Sequence, residues 1–253
     1  MEKETMHLIE IKGLRKAFGP IVAVDGISFT VDKGDVLGFL GPNGAGKSTT
    51  MKMLSGFLPP DGGTASVNGH DIITDSIAVR RSMGYLAENA PAYDEMSVLG
   101  MLKFICEARG IKGSDRRQAI DKVAVSCAIT GVMHQPVGTL SKGYRRRLGL
   151  AQALVHDPDV LILDEPTDGL DPNQKHEVRN LITGMASEKC IIISTHILEE
   201  VEAICNRIIV IDQGRILVDE TAESLMAKHG GSLDQTFRDL TGGGVVVAKG
   251  GAA

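Results

Sequence analysis

Short apolar runs set the pattern of this chain. Val36-Leu37-Gly38-Phe39-Leu40, Val160-Leu161-Ile162-Leu163 and Cys190-Ile191-Ile192-Ile193 show no alternation and end in polar or turn residues. Such runs predict strands buried on both faces, the pattern of parallel sheet. Leu8-Ile9-Glu10-Ile11, Val22-Ala23-Val24 and the stretch from Ile27 to Val31 instead have period 2, which predicts an antiparallel β entry. Met83-Gly84-Tyr85-Leu86 reads as a further strand, and residues 77–81 as a brief helix. Between Ser97 and His134, Val98, Leu99, Leu102, Phe104, Ile105 and Ala108 recur at helical spacing, and Ile120, Val123, Ala124 and Cys127 do so again. The segment from Gly110 to Gly113 separates the two, so an all-α insert is expected. A long helix follows through Leu148, Ala151, Leu154 and Val155, and Asp171-Pro172 opens another with Asp as cap and Pro at the first position. Arg207 to Asp212 and Arg215 to Val218, joined by Gln213-Gly214, predict a hairpin, and Ser232 to Gln235 form a capping box before a last helix. The Gly-rich tail beyond Thr241 is expected to be disordered.

The 253 residues are 43% hydrophobic and 23% charged, ample for one large domain or a domain with a subdomain. A net charge of −5 argues against a nucleic-acid partner, which wants a basic face. Cys106, Cys127, Cys190 and Cys205 show no C-x-x-C pairing and read as small buried hydrophobes in a reducing compartment. Residues 1–5 lack a signal pattern, and no apolar run nears the roughly 18 residues that span a bilayer. The expected location is cytoplasmic, or at a membrane through a partner.

Chemistry enters at Gly41-Pro42-Asn43-Gly44-Ala45-Gly46-Lys47-Ser48-Thr49, which matches G-x-x-x-x-G-K-[ST] between an apolar run and a helix. A triphosphate needs donors crowded into a small volume, and only backbone N–H groups free of Cβ atoms crowd that closely. Gly41, Gly44 and Gly46 are expected at positive φ around the β-phosphate, and the following helix aims its N–H groups and positive dipole end at the same anion. Lys47 would reach the β/γ oxygens, and the Ser48 hydroxyl would hold Mg²⁺. The run from Val160 ends in Asp164 and Glu165, two acids at the edge where parallel strands collect ligands. Asp164 is placed to hold Mg²⁺ through water and Glu165 to take a proton from an attacking water. Three further positions stay open on the residues alone. Phe18, at a Gly-Pro turn, could stack on a base or close a hairpin core. Ser141, with Gly143 beside it, could present a helix N-terminus to an anion or simply cap the helix. His196 could donate to a γ-phosphate or be an ordinary helix residue.

In this order the motifs resemble the nucleotide-binding subunit of an ATP-binding cassette (ABC) transporter over roughly Leu8 to Leu240. The loop at 41–49 stands as Walker A, Leu140-Ser141-x-Gly143 as signature, Asp164-Glu165 as Walker B, Gly169-Leu170-Asp171 as D-loop and His196 as switch histidine. The resemblance implies an α/β P-loop NTPase with a mostly parallel core sheet and an N-terminal antiparallel β subdomain. It further implies an ATPase domain over 7–230 with a helical subdomain at about 92–156, a C-terminal helix at 231–241 and a tail at 242–253. ATP and Mg²⁺ are the implied cofactors. Phe18 becomes the adenine-stacking aromatic, Ser141 and Gly143 cap the γ-phosphate of ATP on a second, identical subunit, Asp171 belongs to the nucleotide site, and Glu165, His196 and Lys47 carry the chemistry. The implied partners are that subunit and a polytopic membrane permease on the inner face of the membrane.

Two departures from the family matter. Glu88 stands where the family usually has Gln, and a carboxylate there could ligate Mg²⁺ directly. Lys142 and Tyr144 replace the usual Gly and Gln of the signature, followed by Arg145-Arg146-Arg147, read as a solvated helix face or as phosphate and interface contacts. With the Glu-Asn-x-Pro-x-Tyr run from Glu88, these are similar to ATPases of ABC-2 type exporters, including the gliding-motility and multidrug branches. The alternative is a soluble ABC ATPase acting on a protein scaffold, as in iron–sulfur assembly.

Overall fold

Residues 7–88, 91–228 and 233–241 are described in the computed structural model of the chain. The expected tail at 242–253, Ser232 of the capping box, and Asn89 and Ala90 of the Glu88 run lie outside them. In chain order the elements that position the site are β1 (Ile9–Phe18), β2 (Ile21–Val31), β3 (Val36–Leu40), α1 (Lys47–Leu54), β4 (Gly62–Val67), β5 (His70–Asp71), α2 (Ser76–Ser82) and β6 (Met83–Leu86). There follow α3 (Val98–Ala108), α4 (Gly113–Ser126), α5 (Lys142–Leu154), β7 (Val160–Asp164), α6 (Pro172–Met185), β8 (Cys190–Thr195), α7 (Leu198–Ile204), β9 (Arg207–Asp212), β10 (Arg215–Thr221), α8 (Ala222–Lys228) and α9 (Leu233–Leu240).

Two sheets result. Four strands in the order β2-β1-β4-β5 pair antiparallel. Six strands in the order β10-β9-β3-β8-β7-β6 pair parallel throughout, except for the β9–β10 hairpin at one edge. The antiparallel entry is longer than its alternation suggests: β1 continues to Phe18, and the segments before and after Gly26 fuse into one strand. Gly26 takes φ 71 and the β1–β2 register shifts at three places, so pairing survives where the period-2 pattern breaks.

The unalternating runs are explained by a core on each face of the six-stranded sheet. Leu37, Phe39, Val160, Ile162, Cys190, Ile192, Ile209 and Ile211 point to one side, against α1 and the antiparallel sheet. Val36, Leu40, Leu161, Leu163, Ile191, Ile193, Ile208 and Val210 point to the other, against α3, α4, α5 and α6. Alternation persists, but both destinations are apolar. Helices α3 and α4 bury Leu102, Cys106, Ile120 and Val123 in the second core, so the insert shares that core with the sheet. All four cysteines are buried and free.

Register then places the chemistry. Leu40 pairs with Thr195, Asp164 with Ser194, and Leu86 with Leu163, so β3, β8, β7 and β6 end within about one rung of each other. Residues 41, 196, 165 and 87 therefore leave the sheet along one edge.

Candidate functional site

The loop after β3 wraps the N-terminus of α1. Gly44 and Gly46 take φ 83 and 108 as expected, and a Cβ on Gly46 would overlap the Ala23 carbonyl oxygen. Gly41 is a correction to the expectation of positive φ. Glycine is needed there because a Cβ would overlap the backbone carbonyl oxygen of Ile211 on the neighbouring strand β9. Lys47 is buried, and its Nζ donates to the carbonyls of Gly41 (2.6 Å) and Pro42 (3.1 Å), closing the loop on itself. Burial lowers its pKa, while the carboxylates of Glu165, Asp164 and Glu88 oppose that shift. A partly desolvated ammonium at the floor of such a loop can hold an anion.

Glu165, one residue beyond β7, takes φ 51, unusual for a side chain with a Cβ. Its N–H donates to the Ser194 carbonyl at 2.8 Å, which fixes the turn. The carboxylate can only accept, so His196 Nδ1–H donates to Oε1 at 2.8 Å and the Thr195 hydroxyl lies 3.2 Å from Oε2. Thr195 also lies 3.1 Å from Oε2 of Glu200, a carboxyl whose pKa burial raises above the ordinary range. Asp164, 2% exposed, accepts from Ser194 Oγ at 2.5 Å. The sequence pointed to Asp164, Glu165 and His196 separately. The pairing of His196 with Glu165, and the hydroxyls of Ser194 and Thr195 behind both acids, come from the register of β7 and β8.

Phe18, Gly44, Gly46, Lys47, Ser48, Thr49, Glu88, Glu165 and His196 line one cleft of about 440 Å³. Phe18 stands at its rim, 49% exposed, with Lys16 Nζ 5.8 Å from the ring centre. It does not close a hairpin core. Ser48 and Glu88 also border a neighbouring cavity of about 630 Å³, which Asp164 lines too and where the buried Tyr85 hydroxyl has no hydrogen-bond partner among the described residues. A hydroxyl and two carboxylates form a hard oxygen donor set, and an unpaired buried hydroxyl beside them can bond a cation's water, so the residues fit Mg²⁺.

Ser141, Gly143 and Asp171 lie outside this cleft. Ser141 caps α5, its Oγ accepting from Tyr144 N at 3.3 Å, and Asp171 caps α6, accepting from Gln174 N at 2.9 Å. Gly143 lies so close to Gln174 that a Cβ would meet its Oε1 at 2.5 Å, which binds the two helix starts into one surface. Lys142 folds over Gly169 and pairs with Asp168 at 2.8 Å.

The basic run is not a solvated face. Arg145 is the outward member, pairing with Asp94 at 3.0 Å. Arg147 is buried against Glu177 at 2.6 Å. Arg146 is buried and donates from Nη1 to the carbonyls of Ala87 and Glu88 (both 2.9 Å), from Nη2 to those of Asp164 and Glu165, and from Nε to that of Pro166 (3.3 Å). A signal for this existed in the sequence. Leu148-Gly149-Leu150-Ala151 puts apolar or small residues one turn beyond all three arginines, so the stripes that carry them run on into apolar surface.

A sequence profile described as ABC transporter matches residues 24–168. A Nod factor export ATP-binding protein I from a Rhizobium species is 37% identical over 222 residues, covering 87% of this chain and 73% of that protein. An Escherichia coli protein named "Probable multidrug ABC transporter ATP-binding protein" is 36% identical over 87% of this chain, which spans 38% of that protein's length. A solved structure of the ATP-binding subunit of an ABC transporter superposes with a TM-score of 0.85 at 26% identity, over 92% of this chain and 99% of that one.

Proposed function

The chain belongs to the ABC transporter ATP-binding family, and on that premise we propose that it is the Mg²⁺-dependent ATPase of an ABC-2 type exporter. Two copies close over two ATP, docked through a polytopic permease to the inner face of the membrane. The observation that carries this reading is the single cleft in which Lys47 and the N-terminus of α1 face the Glu165–His196 pair. The export names of relatives support the direction. The dimer is supported by the position of Ser141 and Gly143, helix-start residues that lie outside the chain's own cleft.

In this site the ATP triphosphate lies on the backbone N–H groups of residues 44–49, with Lys47 against the β/γ oxygens and Phe18 against the base. Ser48, Asp164 and Glu88 would hold Mg²⁺, which supplies neutralisation of phosphate charge when bound. Glu165 takes a proton from water as its oxygen bonds to the γ-phosphorus and the bond to ADP breaks, giving ADP and phosphate. Because His196 Nδ1–H is engaged by Glu165, donation from Nε2 to a γ-phosphoryl oxygen requires a doubly protonated ring. Ser141 and Gly143 of the facing copy, with Asp171 beside them, complete the site.

Two measurements test this. The purified chain should release phosphate from ATP only with Mg²⁺ present, and a tagged chain should be recovered from native membranes with a polytopic membrane protein. Recovery with a scaffold protein alone would replace the exporter reading by the soluble ATPase.

A further inference from the structure

We propose that Arg146 is a positioning residue that clamps helix α5, which starts at Ser141, to the loops holding Glu88 and Glu165 of the same chain. The inference rests on the functional reading above and deepens it.

The guanidinium reaches two chain segments far apart in sequence. Nη1 bridges the carbonyls of Ala87 and Glu88 after β6, Nη2 bridges those of Asp164 and Glu165 at the end of β7, and Nε takes that of Pro166. Only an arginine presents planar donors in two forks; a lysine ammonium is a single point with three donors. Burial of this cation is offset by five carbonyl dipoles and by the surrounding charges of Asp164, Asp168, Glu165 and Glu88.

These bonds end on the backbone of the residues that hold the proposed base and metal ligands. Glu165 sits at φ 51, a conformation that costs about 1 kcal/mol or more and persists only where its surroundings over-determine it. Three bonds to its backbone do this: its N–H donates to the Ser194 carbonyl, and its own carbonyl accepts from the Asp168 N–H and from Arg146. Without Arg146 the Ser194 and Asp168 bonds remain but the link to α5 is lost, so the peptide is less tightly fixed and the carboxylate is less firmly held against His196. Ser141, the cap that would meet nucleotide on the facing copy, lies five residues before Arg146 on the same helix. A shift of α5 on closure is thereby transmitted to Glu88 and Glu165 together, so that occupancy across the dimer sets the geometry of hydrolysis at home.

The test compares wild type with Arg146→Lys and Arg146→Gln in steady-state phosphate release, ATP binding, thermal unfolding and amide hydrogen exchange. The expected result is a kcat lower by about 10- to 100-fold, the order caused by displacing a reacting group by about an ångström. ATP affinity stays within about threefold, the Hill coefficient for ATP moves toward 1, and protection falls in peptides spanning 83–88 and 164–168. A folded Arg146→Lys protein with kcat within about twofold of wild type overturns the proposal, as does loss of ATP binding in parallel with kcat. If neither variant folds, wild-type exchange decides. Peptides spanning 142–148 and 164–168 should change protection together on adding ATP, and independent changes overturn it. A wild-type chain that releases no phosphate refutes the parent reading instead, and this one with it.

Discussion

Glu165→Gln separates binding from chemistry at this site. The carboxylate accepts from His196 Nδ1 at 2.8 Å and lies 3.2 Å from the Thr195 hydroxyl, with its side chain 13% exposed. Glutamine has the same size, and its amide oxygen keeps the His196 bond. Its NH₂ then faces Thr195, whose hydroxyl can rotate to accept and to donate toward Glu200 Oε2, 3.1 Å away. One bond is reversed, not lost, so the cost in stability stays within about 1 kcal/mol. Removing a negative charge near the triphosphate site favours ATP binding. What disappears is the proton acceptor, and a general base contributes about 10²–10⁴-fold, or about 2.7–5.4 kcal/mol of barrier. Phosphate release measured in single and multiple turnover should therefore fall by about 10²–10⁴, while ATP binds at least as tightly and a closed dimer accumulates on size exclusion. A folded variant turning over within about threefold of wild type refutes Glu165 as the base. If His196→Ala alone abolishes turnover in that case, the assignment passes to the histidine.

Other perturbations probe separate parts of the same structure. Gly41→Ala forces a Cβ onto the Ile211 carbonyl, whereas a Cβ at Gly44 meets nothing within 4 Å and suffers only its φ of 83. Calorimetric titration should find ATP affinity reduced more than about tenfold by Gly41→Ala, as expected for a shifted cradle, and less by Gly44→Ala; the reverse order contradicts the packing argument. Glu88→Gln removes one carboxylate from the oxygen set around Ser48 and Asp164, so the Mg²⁺ concentration for half-maximal turnover should rise several-fold. An unchanged Mg²⁺ profile and rate remove Glu88 from the metal site. Burial, aided by nearby Arg109, lowers His156 from 6.5 to about 4. The unfolded chain therefore binds a proton that the native state refuses, and stability present at pH 7 is lost as pH falls from about 6.5 through about 4. The full shift corresponds to about 3 kcal/mol, and about 2 kcal/mol after allowing for the ring's partial solvent contact. Urea unfolding at pH 7 and pH 4.5 should show that difference in wild type and not in His156→Gln; equal acid sensitivity counts against it.

Features that depend on a few consecutive residues were readable from the chain. The loop after β3 is such a feature, because its glycines, Lys47 and Ser48 lie close together within one short stretch, residues 41–48. So are the buried runs of β3, β7 and β8 and the helical spacing of α3 and α4, because side-chain period reports the local element directly. The antiparallel entry was only partly legible, since cross-strand pairing on either side of Gly26 carries β2 through the point where local alternation stops.

Tertiary structure decided what brings distant segments together. Glu165 meets His196 across 31 positions, and Arg146 meets Ala87 across 59, through the matched ends of β6, β7, β8 and β3. Register between parallel strands is set by crossovers through α5 and α6, which no short window of sequence contains. The same holds for Arg146, whose charge alone suggests solvent. Its burial follows from its place on the inner face of α5, against the carbonyls after β6 and β7, and that surrounding exists only in the folded chain.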